Sequence, residues 1–230
     1  MSTAPLTFKR WPPAHPDRIQ LYSLPTPNGI KVGVALEEMG LPYEPHRIDI
    51  MSGIQHSPEF LDLNPNGKIP AIIDPNGPGG GYVKLMESAA ILQYLARKSG
   101  KFLPEGERAQ LEVWQWLFFQ VGHLGPMLGQ FGHFHKFVRD KVKDPYPLER
   151  YTNEGKRLLK ILDERLAERE YMLGEYSIVD MACFPWVECA GGFYNGREAL
   201  ELDSFTHVQR WLAQCLARPA VQRGMKVCAQ

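Results

Sequence analysis

From Arg18 onward, short apolar runs alternate with amphipathic stretches. "RIQLYSL" (Arg18–Leu24) has the length and the aliphatic and aromatic content of a strand. "NGIKVGVALEEMG" repeats apolar positions at helical spacing, which predicts a helix with Ile30, Val34 and Ala35 on its buried stripe and Gly40 as its stop. "YEPHRIDI" reads as a second strand, and "HSPEFLDLNPNGK" holds a short helix at most. "IPAIID" and "GYVKLM" are two further strands joined across "PNGPGGG", whose glycines and prolines suit a surface hairpin connection. "ESAAILQYLARKSG" closes the series as a helix, with Ala90, Ile91, Tyr94 and Leu95 expected on its inner face.

The order is β-α-β, a linking segment, then β-β-α. A crossover helix between the first two strands makes them parallel, and the last two form a hairpin, which is a thioredoxin-like layout. Beyond "KFLPEGERA" the period changes. "ERAQLEVWQWLFFQVGHLGPMLGQ", "PLERYTNEGKRLLKILDERLAER", "SIVDMACFPWVECAG" and "HVQRWLAQCLARP" are all helical by spacing and length. The expected organisation is an N-terminal arm (1–17), a thioredoxin-like α/β domain (18–103) and an all-α helix-bundle domain (104–230), with the boundary in the Pro/Gly-containing connection near Pro104–Gly106. The arm, with four prolines and little periodicity, is expected to be extended and mobile, with clamping onto a partner subunit as the alternative.

Charge narrows the functions. Lys+Arg and Asp+Glu stand at 26 each among 230 residues, so the formal charge is zero. The broad attraction that nucleic acid or an anionic membrane exploits is absent, and small-molecule chemistry is favoured. The four cysteines, Cys183, Cys189, Cys215 and Cys228, all lie late in the chain with no C-x-x-C, so they form no extracellular disulfide framework. Cys183 is expected to be buried and inert, and Cys228 exposed and oxidisable. With no signal-peptide core and no long apolar run, the expected location is cytoplasmic. His133 and His135 sit two apart, the wrong spacing for a helical metal pair, and no metal is expected. Trp114, Trp116, Phe118 and Phe119 are expected to be core and pocket lining rather than a base-stacking platform.

Three stretches carry candidate chemistry. Ile69-Pro70 immediately precedes an apolar strand, and proline, lacking an amide donor, belongs at a strand's first position. In a thioredoxin-like layout a cis bond is expected there, leaving the Ile69 N–H and C=O to pair with a ligand backbone. Glu87 and Ser88 open the last helix of the first half. Two accounts are open: capping and helix-end charge, or recognition of an α-amino acid group, with the Ser88 hydroxyl and free backbone amides holding a carboxylate and Glu87 meeting an ammonium. "YSLPTPNGIKV" has the outline of a thiol or phosphate site, yet it contains no cysteine and no Gly-x-Gly; Thr26 and Asn28 are the candidate side chains of its turn.

"GKIPAI" followed by "MESAAILQYLA" resembles the glutathione transferase superfamily, and "GEYSIVDMACFPWV" is similar to its internal capping motif, Ser177 and Asp180 having capping-box spacing. "PTPNG", "NPNGKIPAI", "QWLFFQVGHLGPMLGQ" and "PLERY" resemble the bacterial nu-class transferases and the globular domain of the yeast nitrogen-regulating prion protein, from about Arg18 to Pro219. The resemblance implies glutathione-dependent disulfide reduction, with one or two glutathiones or one glutathione disulfide in the site, and a homodimer. It places Thr26 and Asn28 at the sulfur, Gln55, Ile69 and the Pro70 loop along the tripeptide, Glu87 and Ser88 at the γ-glutamyl end, Arg150 at a glycyl or second-ligand carboxylate, and Lys68 as a further carboxylate contact. The thiol then arrives with glutathione, which accounts for the missing cysteine. Tyr22 is the phenol nearest the turn but falls within the first strand. Conjugation of glutathione to an electrophile, reduction of an organic hydroperoxide, and a regulatory protein that binds glutathione without turnover are the competing readings.

Overall fold

The computed structural model describes residues 4–229. It divides into two compact units, one holding the chain up to Lys101 together with the segment from Pro219, the other Phe102–Arg218. Residues 219–229, expected in the helical half, thus belong to the first unit.

That unit is a four-stranded mixed sheet ordered β2-β1-β3-β4, with β1 Ile19–Ser23, β2 Tyr43–Arg47, β3 Ala71–Asp74 and β4 Val83–Met86. β1 is parallel to β2 and antiparallel to β3, and β3 and β4 form the hairpin. Every residue of β1 and β3 is buried, as central strands require, while the edges β2 and β4 are not. Pro45 sits on edge strand β2, where a missing amide donor is tolerated.

Helix α1 (Pro27–Met39) crosses from β1 to β2 and ends at Gly40 in the left-handed conformation, φ 69°. Val34 and Ala35 are buried as expected, but Ile30 is only half-buried. Its start needs Gly29, because a Cβ there would stand 1.9 Å from the Leu24 carbonyl oxygen. A short helix α2 (Pro58–Leu63) precedes β3, and on α3 (Ser88–Ser99) the buried side is Ala89, Ile91, Leu92, Leu95 and Ala96; Ala90 is exposed and Tyr94 half-buried, so the stripe is rotated from the expected one. Tyr94 instead donates its hydroxyl to Asp74, at 2.5 Å.

From residue 4 onward the arm packs onto this unit. Leu6–Lys9 form a 3-10 turn whose buried Thr7 donates its hydroxyl to the Glu59 carbonyl at 3.0 Å. Phe8 and Trp11 cover the apolar cluster of Tyr22, Ile48, Phe60, Leu63, Ala71 and Ile73, and the Glu44 carboxylate accepts the amides of Ala14 and His15 at 2.9 and 2.6 Å. Proline erases periodicity without removing the apolar side chains between the prolines, and those side chains anchor the segment. Residues 1–3 of the expected arm lie outside the described residues.

Opposite in sequence, α9 (Pro219–Gly224) lies against α1. A Cβ on Gly33 would come within 2.6 Å of the Gly224 carbonyl oxygen, and one on Gly224 within 2.4 Å of the Val34 Cα, so the two backbones meet with no side chain between them. Arg223 pairs with Glu37 at 2.7 Å, and Arg47 donates to the carbonyls of Cys228 and Ala229 at 2.9 and 3.0 Å.

The second unit is helical: α4 Glu107–Phe119, α5 Gly125–Gly132, α6 Tyr146–Leu166, α7 Ile178–Gly191 and α8 Thr206–Ala217, with π-helical turns at Gln120–Leu124 and His133–Phe137. On α4, Val113 and Leu117 are buried, whereas Trp114 and Phe118 are exposed, so of the expected roles in core and pocket lining these two do not take the core one. The capping box is formed: the Ser177 hydroxyl oxygen accepts the Val179 amide at 3.2 Å. The fully buried Asp180 carboxylate accepts the amides of Met172 and Ser177 at 2.9 Å each, the Ser177 hydroxyl at 3.0 Å and the Trp211 indole at 2.8 Å. Burial pushes the Asp180 carboxyl up to about 6, opposed by these four donors.

Candidate active site

Sheet register gathers the site. Tyr22, Ala71 and Met86 lie in one row across β1, β3 and β4. Thr26 follows Tyr22 by four residues, Pro70 immediately precedes Ala71 and Glu87 immediately follows Met86, so three turns leave the sheet at the same end.

The first turn makes Thr26 the N-cap of α1, with its side-chain oxygen accepting the Gly29 amide at 3.4 Å. A hydroxyl whose oxygen is used this way still has its proton to give. Asn28 is half-buried in the first turn of the same helix, beside its partially positive end. In the second turn Ile69–Pro70 is cis, Pro70 is buried, Ile69 half-buried and Lys68 exposed. Asn64 ties this loop down by donating to the Lys68 carbonyl at 2.7 Å and accepting the Asn66 amide at 2.9 Å.

At the third turn Glu87 occupies the N-cap position of α3 at φ 67°, ψ 111°, a conformation strained for a residue other than glycine. Its side chain makes no capping hydrogen bond and is exposed. The capping account of Glu87 is thereby set aside, and the first-turn amides of α3 have no side-chain cap from it. Ser88 is buried and accepts a hydrogen bond from the ammonium of Lys31 at 3.1 Å, which ties α1 to α3. Periodicity gave no reason to single out Lys31: a lysine inside a helical pattern reads as solvent face, and only the alternation Ile30-Lys31-Val32 hinted otherwise.

Gln55 lies on a 3-10 turn (Ile54–His56) and donates to the Ile50 carbonyl at 3.2 Å, while its side-chain oxygen is buried with no hydrogen-bond partner. An orphaned acceptor of this kind fits a ligand amide. Arg150 belongs to the other unit, exposed on α6, where it borders an open cleft of about 530 Å³ with Tyr146, Asn153 and Glu154. Arg157 clasps Glu154 there at 2.7 and 2.8 Å and, with His123 and Arg150 nearby, holds that carboxylate below its ordinary range.

No protein thiol competes for the chemistry. All four cysteines are free and buried. Cys228 was expected to be exposed, but it is 6% exposed, its thiol pointing to the His46 carbonyl at 3.7 Å, and burial pushes it up to about 11, as it does Cys189. Tyr22 is fully buried, stacked on His46 with ring centroids 4.6 Å apart, and burial raises its phenol well above the ordinary value. It is a core residue. Among the described residues no group of three or more His, Cys, Asp or Glu could hold a metal ion, and no helix is long and apolar enough to cross a membrane.

Known proteins share this sequence pattern and fold. The glutathione S-transferase N-terminal domain pattern matches residues 18–97 and the C-terminal domain pattern residues 126–219. The disulfide-bond oxidoreductase YfcG of Escherichia coli K12 is 43% identical over 90% of this chain and 94% of its own. A glutathione transferase from Burkholderia graminis, solved with two glutathione molecules per subunit, superposes with a TM-score of 0.96 at 54% identity, covering 97% of this chain and 93% of that one. One from Pseudomonas putida, solved with one glutathione disulfide per subunit, gives 0.95 at 52% identity, covering 97% of each chain. With both domain patterns and both halves of the fold in place, the chain belongs to the glutathione S-transferase family.

Proposed function

We propose that this protein is a glutathione-dependent disulfide-bond oxidoreductase of the nu-class type. The observation that carries the reading is the Thr26 turn: a helix N-terminus with a hydroxyl proton to give, on a chain whose own thiols are all buried. Bound glutathione supplies the thiolate that exchanges with the substrate disulfide. Thr26 donates to that sulfur, and Asn28 and the positive end of α1 favour its ionised form. Gln55 and the Ile69 backbone beside Pro70 hold the tripeptide, Lys68 and Arg150 meet carboxylates, and Glu87 with Ser88 takes the γ-glutamyl group. The printed name of YfcG and the ligands of the two transferases support the same assignment.

Thiol activation alone is weak. Lowering a thiol pKa from about 8.5 to about 6.5 raises the thiolate fraction at pH 7 about 25-fold, while a Brønsted slope near ~0.45 takes back about 8-fold in nucleophilicity. Alignment of the sulfur with the disulfide supplies the larger part of the rate. The proposed setting is a cytoplasmic homodimer; Leu111 and Phe118, seven residues apart and exposed on α4, support self-association.

Calorimetry with reduced and oxidised glutathione, followed by turnover of hydroxyethyl disulfide, tests the function. Binding and turnover that survive replacement of all four cysteines are expected. A folded cysteine-free variant that binds glutathione normally and reduces no disulfide would overturn the glutathione-only chemistry, and absence of binding in either redox form would overturn the whole reading.

A further inference from the structure

We infer that Lys31 is a positioning residue that makes the α3 end of the site selective for a carboxylate. The inference rests on the proposed function and deepens it. Lys31 is 1% exposed, inside a helix whose neighbouring positions Val32, Val34, Ala35 and Leu36 are all buried and apolar. Ammonium groups are almost never so buried without a specific partner. Among the contacts of this one is the 3.1 Å hydrogen bond to Ser88 Oγ, itself 6% exposed.

Direction is the point. An ammonium has three donors and no acceptor, so Ser88 Oγ must accept from Lys31. A serine whose oxygen is occupied by a cation turns its own proton away from that cation, and its hydroxyl becomes a donor toward the ligand. The residue beside it, Glu87, leaves the first turn of α3 without a side-chain cap, so the backbone amides there are donors as well. Hydroxyl, amides and helix end therefore present donors and positive potential together, with a lysine charge one hydrogen bond behind. A carboxylate answers the donors and the positive potential together; a neutral acceptor answers the donors alone, and a hydrogen-bond-donating group neither. In glutathione the matching group is the α-carboxylate of the γ-glutamyl residue.

A merely structural lysine would predict loss of stability with no change in ligand preference. The discriminating probes are glutathione and 4-aminobutanoyl-cysteinyl-glycine, which is the same tripeptide without that carboxylate. Calorimetric affinities are compared for the wild-type protein, Lys31→Met, Ser88→Ala and the double variant, each checked for folding by circular dichroism. Wild type is expected to prefer glutathione by about 100-fold, as a charge-assisted hydrogen-bond set of this kind commands. Lys31→Met should lower glutathione affinity about 10-fold or more and change analogue affinity less than about 2-fold. Adding Lys31→Met to Ser88→Ala should weaken glutathione by clearly less than it does alone, because the lysine acts through the serine.

Equal losses for both ligands, or full additivity in the double variant, would overturn the inference. Should Lys31→Met not fold, Lys31→Gln and Ser88→Ala carry the test: a Ser88→Ala protein that keeps the full preference for glutathione refutes it. Wild-type protein that binds neither probe would instead sink the proposed function, and wild-type protein that binds both equally tightly would sink the role of Lys31 alone.

Discussion

Asp180→Ala removes the acceptor from four buried donors. Three of them, the amides of Met172 and Ser177 and the Trp211 indole, at 2.8–2.9 Å, have fixed directions and lose their partner; the fourth, the Ser177 hydroxyl, can rotate. An orphaned buried donor costs about 1–3 kcal/mol. Water entering the space left by the carboxylate recovers part of that, which places the total at about 4 kcal/mol, a large part of the ~5–15 kcal/mol by which a folded chain is stable. For a chain of this length the midpoint should fall by about 8–16 °C. Asp180→Asn is the control: its oxygen can keep the Met172 and Trp211 bonds while its amide faces the Ser177 donors, for a loss of about 2 kcal/mol. Thermal melts and urea titrations followed by circular dichroism read both values. An Asp180→Ala protein within about 1 kcal/mol of wild type would refute the view that this carboxylate organises the start of α7.

Thr26→Ala should slow disulfide reduction about 3-fold at pH 7 yet exceed wild type above about pH 9, where the less acidic thiol is both ionised and more nucleophilic; parallel pH–rate profiles would contradict the role of the hydroxyl. Burial alone would push Glu44 up, but the amides of Ala14 and His15, with His46 and His15 nearby, outweigh it and hold Glu44 below its ordinary value. Its stabilising contribution is therefore present above the unfolded carboxylate value of about 4.3 and is lost as pH falls through the folded one. Glu44→Gln should abolish that acid-side loss and speed hydrogen exchange at Ala14 and His15, while exchange in β3 stays unchanged. Phe118→Glu should lower the sedimentation coefficient of the protein toward that of a single chain without altering its circular dichroism, and an unchanged coefficient would count against self-association through α4.

Local chemistry explains what could be read from the chain. β1 and β3 announced themselves as short runs rich in aliphatic and aromatic residues, buried along their whole length even at Gln20, Ser23 and Asp74, and Gly40 marked a helix end because a left-handed residue is needed there. Ser177 and Asp180 were legible as a capping box since both partners lie within one turn. What escaped depends on contacts distant in sequence. The hydrogen bond between Lys31 and Ser88 spans 57 positions, and the clasp of Glu44 on the arm about 30, and neither leaves a trace in periodicity. Phe118 misled in the opposite sense: aromatic content suggested core and pocket lining, but it is 66% exposed on the side of α4 away from the buried Val113 and Leu117, and so is not core. In the candidate site, Thr26, Glu87 and Ser88 were visible as residue types at helix starts; the strained Glu87 backbone that leaves α3 uncapped was not.

The glycine-to-glycine crossing of α1 and α9 makes the thioredoxin-like half discontinuous along the polypeptide. During synthesis the sheet and its helices emerge first, but α1 keeps a bare backbone groove at Gly33 until residues 219–229 have been made and have packed onto it. A fragment ending at Lys101 is therefore an incomplete body, and any fusion or truncation that disturbs the segment after Arg218 acts on the half of the protein that holds Thr26, Lys31 and Ser88.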